Sequence, residues 1–240
     1  MSGSGAKLSS SPMLSWLQRR IQRALVKGLT DAYESVRVDH ERYLLQLRHG
    51  HGLPIATYDG LFTLPVEHLD AIALSTVRAG MKLAAAEGAG FGLGGILTLV
   101  PDLGVLSVIT LRTVQKLSLL YGFPINTDEE NAELWVAMAS AAGVDVGREV
   151  VEKEVVQRFV PRVIQRIAVE ASADVVERWA ARIVPLVSSV LGAGLNYYFV
   201  RAWGERAQRY FHDKHLRVRE QKLRELSADP LVLPPLPSGS

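Results

Sequence analysis

The sequence contains no cysteine. That absence removes thiol nucleophiles, disulfides, iron–sulfur clusters and cysteine-ligated zinc, and it leaves the redox compartment open. No window alternates apolar and polar residues with a period of two, so nothing reads as a strand. Signatures of catalysis are just as scarce. There is no G-x-S-x-G elbow, no Ser/His/Asp arrangement stands out, and no Glu-x-x-His pair supports a di-iron bundle. The first thirty residues hold no unbroken apolar run, because Arg19, Arg20, Arg23 and Lys27 interrupt it. A cleavable signal peptide is therefore not expected, and Ser2 stands where myristoylation needs glycine. The expected location is cytoplasmic.

What charge there is lies unevenly. Residues 1–50 carry eight Lys/Arg against four Asp/Glu, residues 51–200 eleven against sixteen, and residues 201–226 eight against four. Both ends are basic and the middle is mildly acidic. That asymmetry suits an anionic partner at the ends, or two merely solvated helical faces.

The apolar spacing is helical nearly throughout. Leu14, Leu17, Ile21, Leu25, Gly28, Ala32 and Val36 predict one basic amphipathic helix over 13–48, followed by a loop at 49–63 rich in glycine and proline. Pro65 suits a helix first turn, and Leu69, Ile72, Thr76, Gly80, Leu83 and Glu87 then share a stripe. Pro101 predicts a break at Val100–Asp102 and a second apolar helix from Asp102 to about Tyr121. Thr127 and Glu130 form a capping box for a helix over 128–142. Helices over 144–159 and 162–183, divided by Pro161, and over 186–226 complete the reading. The expected fold is an all-α, multi-helix bundle around a glycine-rich central helical hairpin. One domain spans 13–226, between a Gly/Ser-rich tail (1–12) and a Pro-rich tail (227–240). In the latter, Pro234 and Pro237 offer a docking peptide to a protein partner.

Five glycines, Gly88, Gly90, Gly92, Gly94 and Gly95, fall within eight positions. The run from Gly90 to Gly95 fits a dinucleotide fingerprint in letters only, since no strand precedes it and no acid stands at the ribose distance. It reads better as a small-residue surface where helices meet closely. Gly88–Leu111 and the uncharged Ile183–Val200 approach the length of a membrane span, so a buried core and insertion both stay open.

Isolated polar residues within this apolar setting are the candidate site. Glu87 shares its stripe with Leu69 and Ile72 and is expected to face the interior. Arg112 neighbours Val105, Val108, Ile109 and Leu119 by spacing and is expected to need a buried partner. With Asp102 and Asn196 these residues suggest one polar network, either a cluster that fixes helix register or a ligand or acid/base site. Glu87 and Asp102 are the catalytic candidates under the second reading. His49 with His51, and His212 with His215, give pairs but no further ligands, so no metal and no cofactor are expected.

Several of these residues also carry a resemblance. Glu87-Gly88-Ala89, the glycines to Gly95, Pro101-Asp102-Leu103, Leu111-Arg112 and Leu120-Tyr121-Gly122 resemble the core of the EcsC family. Pro185, Gly192-Ala193 and Asn196-Tyr197 are similar to that family's C-terminal block, over about 64–211 in all. The family pattern often has an acidic residue followed by Ile/Leu-Pro, whereas here Pro101 precedes Asp102. The resemblance implies a bacterial, cytoplasmic or membrane-peripheral helical protein. It brings an association with an ABC-transporter locus, members labelled as hydrolases, and added interest in Tyr197.

The function expected from this sequence is a non-enzymatic accessory protein at the inner face of a membrane, peripheral to it. Trp16, Arg19, Arg20, Arg23 and Lys27 at one end, and Arg206, Arg209, Lys214 and Arg217 at the other, are the expected contacts with anionic headgroups. The glycine-rich hairpin would engage a lipid ligand or a membrane protein. A hydrolase using Glu87, Asp102, Arg112 and Asn196 is the alternative, and an oligomer recruiting partners through its tails is a third. No nucleic-acid partner is expected, because no recognised binding module accompanies the basic helices.

Overall fold

A computed structural model describes residues 12–91, 99–145, 153–180 and 188–228. Of 88–91, 99–102, 153–157, 178–180 and 188–195 it describes the backbone alone. The described chain is all-α, with no strand among its residues. Seven helices follow one another: α1 (Pro12–Ser35), α2 (His40–Leu45), α3 (Val66–Phe91), α4 (Leu99–Leu120), α5 (Asp128–Ala141), α6 (Lys153–Ala180) and α7 (Ser188–Ala228). A π-helical turn (Gln46–Gly50) and a 3-10 turn (Tyr58–Thr63) join α2 to α3. Both tails and 92–98, with Gly92, Gly94 and Gly95, lie outside the described residues, as does the loop between α6 and α7. The glycine-rich hairpin is therefore not described as such.

Helix α4 is the centre of the bundle. It packs against α1, α3, α5 and α7, while α6 lies on α1 and α5. Leu103, Leu111, Val114, Leu117 and Leu120 are at most 1% exposed. Two glycines let the helices close in. A Cβ on Gly28 of α1 would come within 2.8 Å of Ser107 Oγ and 3.1 Å of Gly104 Cα, both on α4. A Cβ on Gly80 of α3 would come within 2.7 Å of Thr113 Oγ1 and 3.2 Å of Val200 Cγ1 on α7. No larger residue fits either place without moving a neighbour.

The predicted capping box is present in both halves. Thr127 Oγ1 accepts from the Glu130 amide at 3.2 Å, and Glu130 Oε2 accepts from the Thr127 amide at 2.9 Å. Three boundaries differ from the sequence expectation. The 13–48 helix is broken at Val36–Asp39, where Gln115 of α4 accepts from the Val38 amide and donates to the Val36 carbonyl, each at 3.1 Å. Asp39 then caps α2 by accepting from the Arg42 amide at 3.0 Å. Helix α4 is already helical at Leu99 and continues through Pro101, which a helix tolerates by giving up one amide bond, so the predicted break at Val100–Asp102 is absent. Helix α6 runs through Pro161 without ending. Pro161 sits on the exposed side, where water can serve the carbonyl that loses its donor.

Candidate functional site

The stripe predicted on α3 splits in two. Leu69, Ala73, Val77, Gly80, Met81 and Ala84 are buried, and Gly204 of α7 closes on Val77. The other edge, Ser75, Thr76, Ala79, Leu83 and Glu87, forms one wall of a cleft of about 440 Å³. Val105, Val108, Ile109, Arg112, Thr113 and Lys116 of α4 form the opposite wall. Tyr43, Gln46 and His51, from α2 and the turn after it, close one end.

The two walls run antiparallel. Tyr43 lies beside Thr76 and beneath Lys116, whereas Gly80, one turn further along α3, meets Thr113. Lys116, Arg112, Thr76 and Tyr43 therefore gather at one end, with Leu83, Val108 and Ile109 in the middle and Glu87 with Val105 at the other end.

The cationic end has unusual electrostatics. Arg112 and Lys116 are the only charges between Leu103 and Leu120. They stand four residues apart on one face, so they repel. No carboxylate among the described residues pairs with either. Burial, and then the Arg112 charge, hold the Lys116 ammonium below its usual pKa. Its nitrogen lies 5.7 Å from the centre of the Tyr43 ring. Tyr43 is 4% exposed, and its hydroxyl has no completed hydrogen bond. The neighbouring Thr76 hydroxyl already donates to the Ile72 carbonyl at 3.0 Å. Burial pushes the Tyr43 phenol up to about 12, against a smaller opposing effect of Thr76. The phenol thus remains a proton donor at any physiological pH.

Two expectations about burial are corrected here. Glu87 is exposed, not interior, because the face it shares with Leu69 opens into the cleft at that height of α3. Arg112 is exposed for the same reason, since Val105, Val108 and Ile109 line the cleft beside it. Asn196 is buried on α7 and does not line the cleft, and Tyr197 is 41% exposed. The Asp102 side chain lies outside the described residues, as do the surroundings of Gly88 and Gly90. The structure brings Glu87 and Arg112 to one cleft but does not bury them in a network.

A second polar group, absent from the sequence reading, joins α3, α4 and α7. Asp70 accepts from the Tyr121 hydroxyl at 2.5 Å and lies 2.9 Å from His212 Nδ1. Burial, and then Asp70, raise the Tyr121 pKa. One turn on, the fully buried His215 places Nδ1 2.9 Å from the Tyr121 carbonyl and stacks on Phe62 at 4.5 Å. The His212/His215 spacing was visible in the sequence, but its partners come from residues 62 to 121.

The basic ends are unequal. On α1, Trp16, Arg19, Arg23 and Lys27 are exposed. Arg20 lies 5.3 Å over the Trp16 ring, Arg23 donates to the Arg19 carbonyl, and Lys27 pairs with Asp31 at 2.5 Å. On α7, Arg209 and Arg217 are exposed, but Arg206 donates to the Ala141 carbonyl at 3.0 Å and Lys214 pairs with Glu133 over the Phe123 ring. Arg206 and Lys214 hold α7 to α5.

The model of the EcsC protein family matches residues 6–216. The chain belongs to the EcsC family. It is 25% identical over 216 residues to Protein EcsC of Bacillus subtilis (strain 168), covering 88% of this chain and 90% of that relative. No solved structure matches it. The first of the two blocks that suggested the EcsC family includes both Glu87 and Arg112, which the fold sets on facing walls of one cleft.

Proposed function

We propose that this EcsC-family chain is a non-enzymatic accessory protein that works at the cytoplasmic face of a membrane and engages a lipid or a transporter-type membrane protein there. The observation that carries the reading is the outer face of α1. Met13 is 67% and Trp16 44% exposed, beside Arg19, Arg20 and Arg23, while Leu17, Ile21 and Leu25 anchor the inner face in the core. An aromatic ring among cations on an otherwise fixed helix suits the headgroup layer of an anionic bilayer. Arg209 and Arg217 add to it from α7, and the glycine-rich run 88–95 is the proposed contact with the partner.

Flotation of detergent-free protein with liposomes tests this. Binding to anionic but not neutral vesicles, lost at high salt, is the expected result. Three Arg→Gln changes at positions 19, 20 and 23 remove about 3 kcal/mol, at about 1 kcal/mol each, or roughly a hundredfold in partitioning. Absence of flotation, or equal flotation of that variant, overturns the reading. Salt-resistant flotation on neutral vesicles replaces it with insertion. The hydrolase alternative has less support, because Glu87 and Arg112 stand toward opposite ends of their cleft and Asn196 does not line it.

A further inference from the structure

The cleft between α3 and α4 is asymmetric in a way that selects a ligand. At one end stand two cations with no carboxylate partner among the described residues, and a buried phenol whose hydroxyl makes no hydrogen bond there. The hydroxyls of Ser75, Thr76 and Thr113, which also line it, already donate to helix carbonyls at 2.8–3.0 Å. The charged and buried donors left for an anion are those of Arg112, Lys116 and Tyr43, with Gln46 and His51 at the same end. The middle is hydrocarbon, from Ala79, Leu83, Val108 and Ile109, and Leu83 leaves 49% of its surface uncovered. Eleven residues up α3 from Thr76, or ~16 Å at the helical rise, Glu87 puts a negative charge at the far end.

We propose that this cleft binds a long-chain fatty carboxylate, with its head between Lys116, Arg112 and the Tyr43 hydroxyl and its chain along Leu83, Val108 and Ile109. An anion between Arg112 and Lys116 relieves their repulsion, and the planar carboxylate matches the guanidinium fork. It also gives the buried Tyr43 hydroxyl, which has no hydrogen-bond partner among the described residues, an acceptor. Glu87 repels the head from the wrong end, so orientation is fixed by charge at both ends. The volume lies within the range of roughly 300–1,000 Å³ usual for small-molecule sites, and it suits one hydrocarbon chain. The inference rests on the membrane reading for the source of the lipid, but its chemistry does not depend on vesicle binding.

Titration of the delipidated full chain with a fluorescent long-chain carboxylate, competed by palmitate, tests it. Saturable binding of one molecule per chain is expected, displaced by palmitate and far less by hexadecanol. Lys116→Ala should weaken it by about tenfold or more, and Tyr43→Phe by a smaller factor. Ala79→Trp, which fills the hydrocarbon stretch from an exposed position, should abolish it. Each variant must keep the parent melting curve to count. Absence of saturable binding, equal competition by hexadecanol, or unchanged affinity of Lys116→Ala overturns the proposal, and displacement only by a diacyl phospholipid replaces its ligand. Palmitate is presented without vesicles, so loss of flotation with intact palmitate binding removes the membrane reading alone. Normal flotation without palmitate binding removes this one alone.

Discussion

His215 is fully buried, with one ring nitrogen donating to the Tyr121 carbonyl and the other without a partner. A donor at Nδ1 fixes the neutral tautomer with its lone pair on Nε2. Burial first, helped by Arg219 and His212 and opposed by the Tyr121 carbonyl and Asp70, holds its pKa below the ordinary 6.5. The unfolded chain therefore binds this proton more readily than the folded one. The stability so contributed is complete above pH 6.5 and is lost as the pH falls from there toward the depressed folded value. Thermal melts between pH 7.5 and 5 should show a falling Tm, and His215→Phe, which keeps the stack on Phe62, should flatten that slope. An equal slope in the variant would assign the acid loss to other groups. Little of this was legible beforehand. The spacing of His212 and His215 showed a shared helix face, but the partners that set their chemistry lie on α3, on α4 and in the turn before α3.

At the scale of the element, legibility follows the sequence distance of the deciding bond. The α5 start was readable because Thr127 and Glu130 settle it between themselves, three residues apart. The break after α1 was not, because it depends on Gln115, 77 residues from Val38 and 79 from Val36. Local propensity favoured a continued helix, and a distant side chain supplied the two bonds that made an extended segment cheaper. That break matters to the cleft, since it turns the chain so that Tyr43 arrives beneath Lys116. Gln115→Leu removes both bonds at similar volume and leaves the Val38 amide without its acceptor. A cost of about 1–3 kcal/mol is expected in urea unfolding, against roughly 1 kcal/mol for Thr127→Ala at the α5 cap. A smaller loss for Gln115→Leu than for Thr127→Ala would mean that water takes over the Val38 amide. Glu87 and Arg112 were visible in advance as isolated charges in an apolar setting; Lys116 was not among them, although it stands four residues from Arg112 on an otherwise uncharged stretch. Their place in a cleft was not visible. Spacing gave the correct azimuth for Glu87, but it cannot say whether another helix or a cleft lies over that azimuth.

For the whole molecule, the open question was whether its most apolar segments belong to a core or a bilayer. Among the described residues one helix is long and apolar enough to cross a membrane, Leu103–Leu120, with a mean hydropathy of 1.4 and 72% of it buried inside the fold. Ile183–Val200 begins outside the described residues and continues as the first turns of α7, with side chains described from Asn196 on. Helix α4 has α1, α3, α5 and α7 around it, and its Arg112 and Lys116 line the cleft. A bilayer could surround such a helix only if the bundle opened, at the cost of the close contacts at Gly28 and Gly80. Hydrogen exchange reads that arrangement directly. Amides of Ile109–Leu120 should exchange last, through global unfolding alone, while those of Met13–Arg19, with one face in water, should exchange early. Binding to anionic vesicles should then slow the first turns of α1 and leave α4 unchanged, as a surface-bound bundle requires. If vesicles instead altered exchange along α4, the bundle would have opened to the bilayer, and the peripheral reading would give way to insertion.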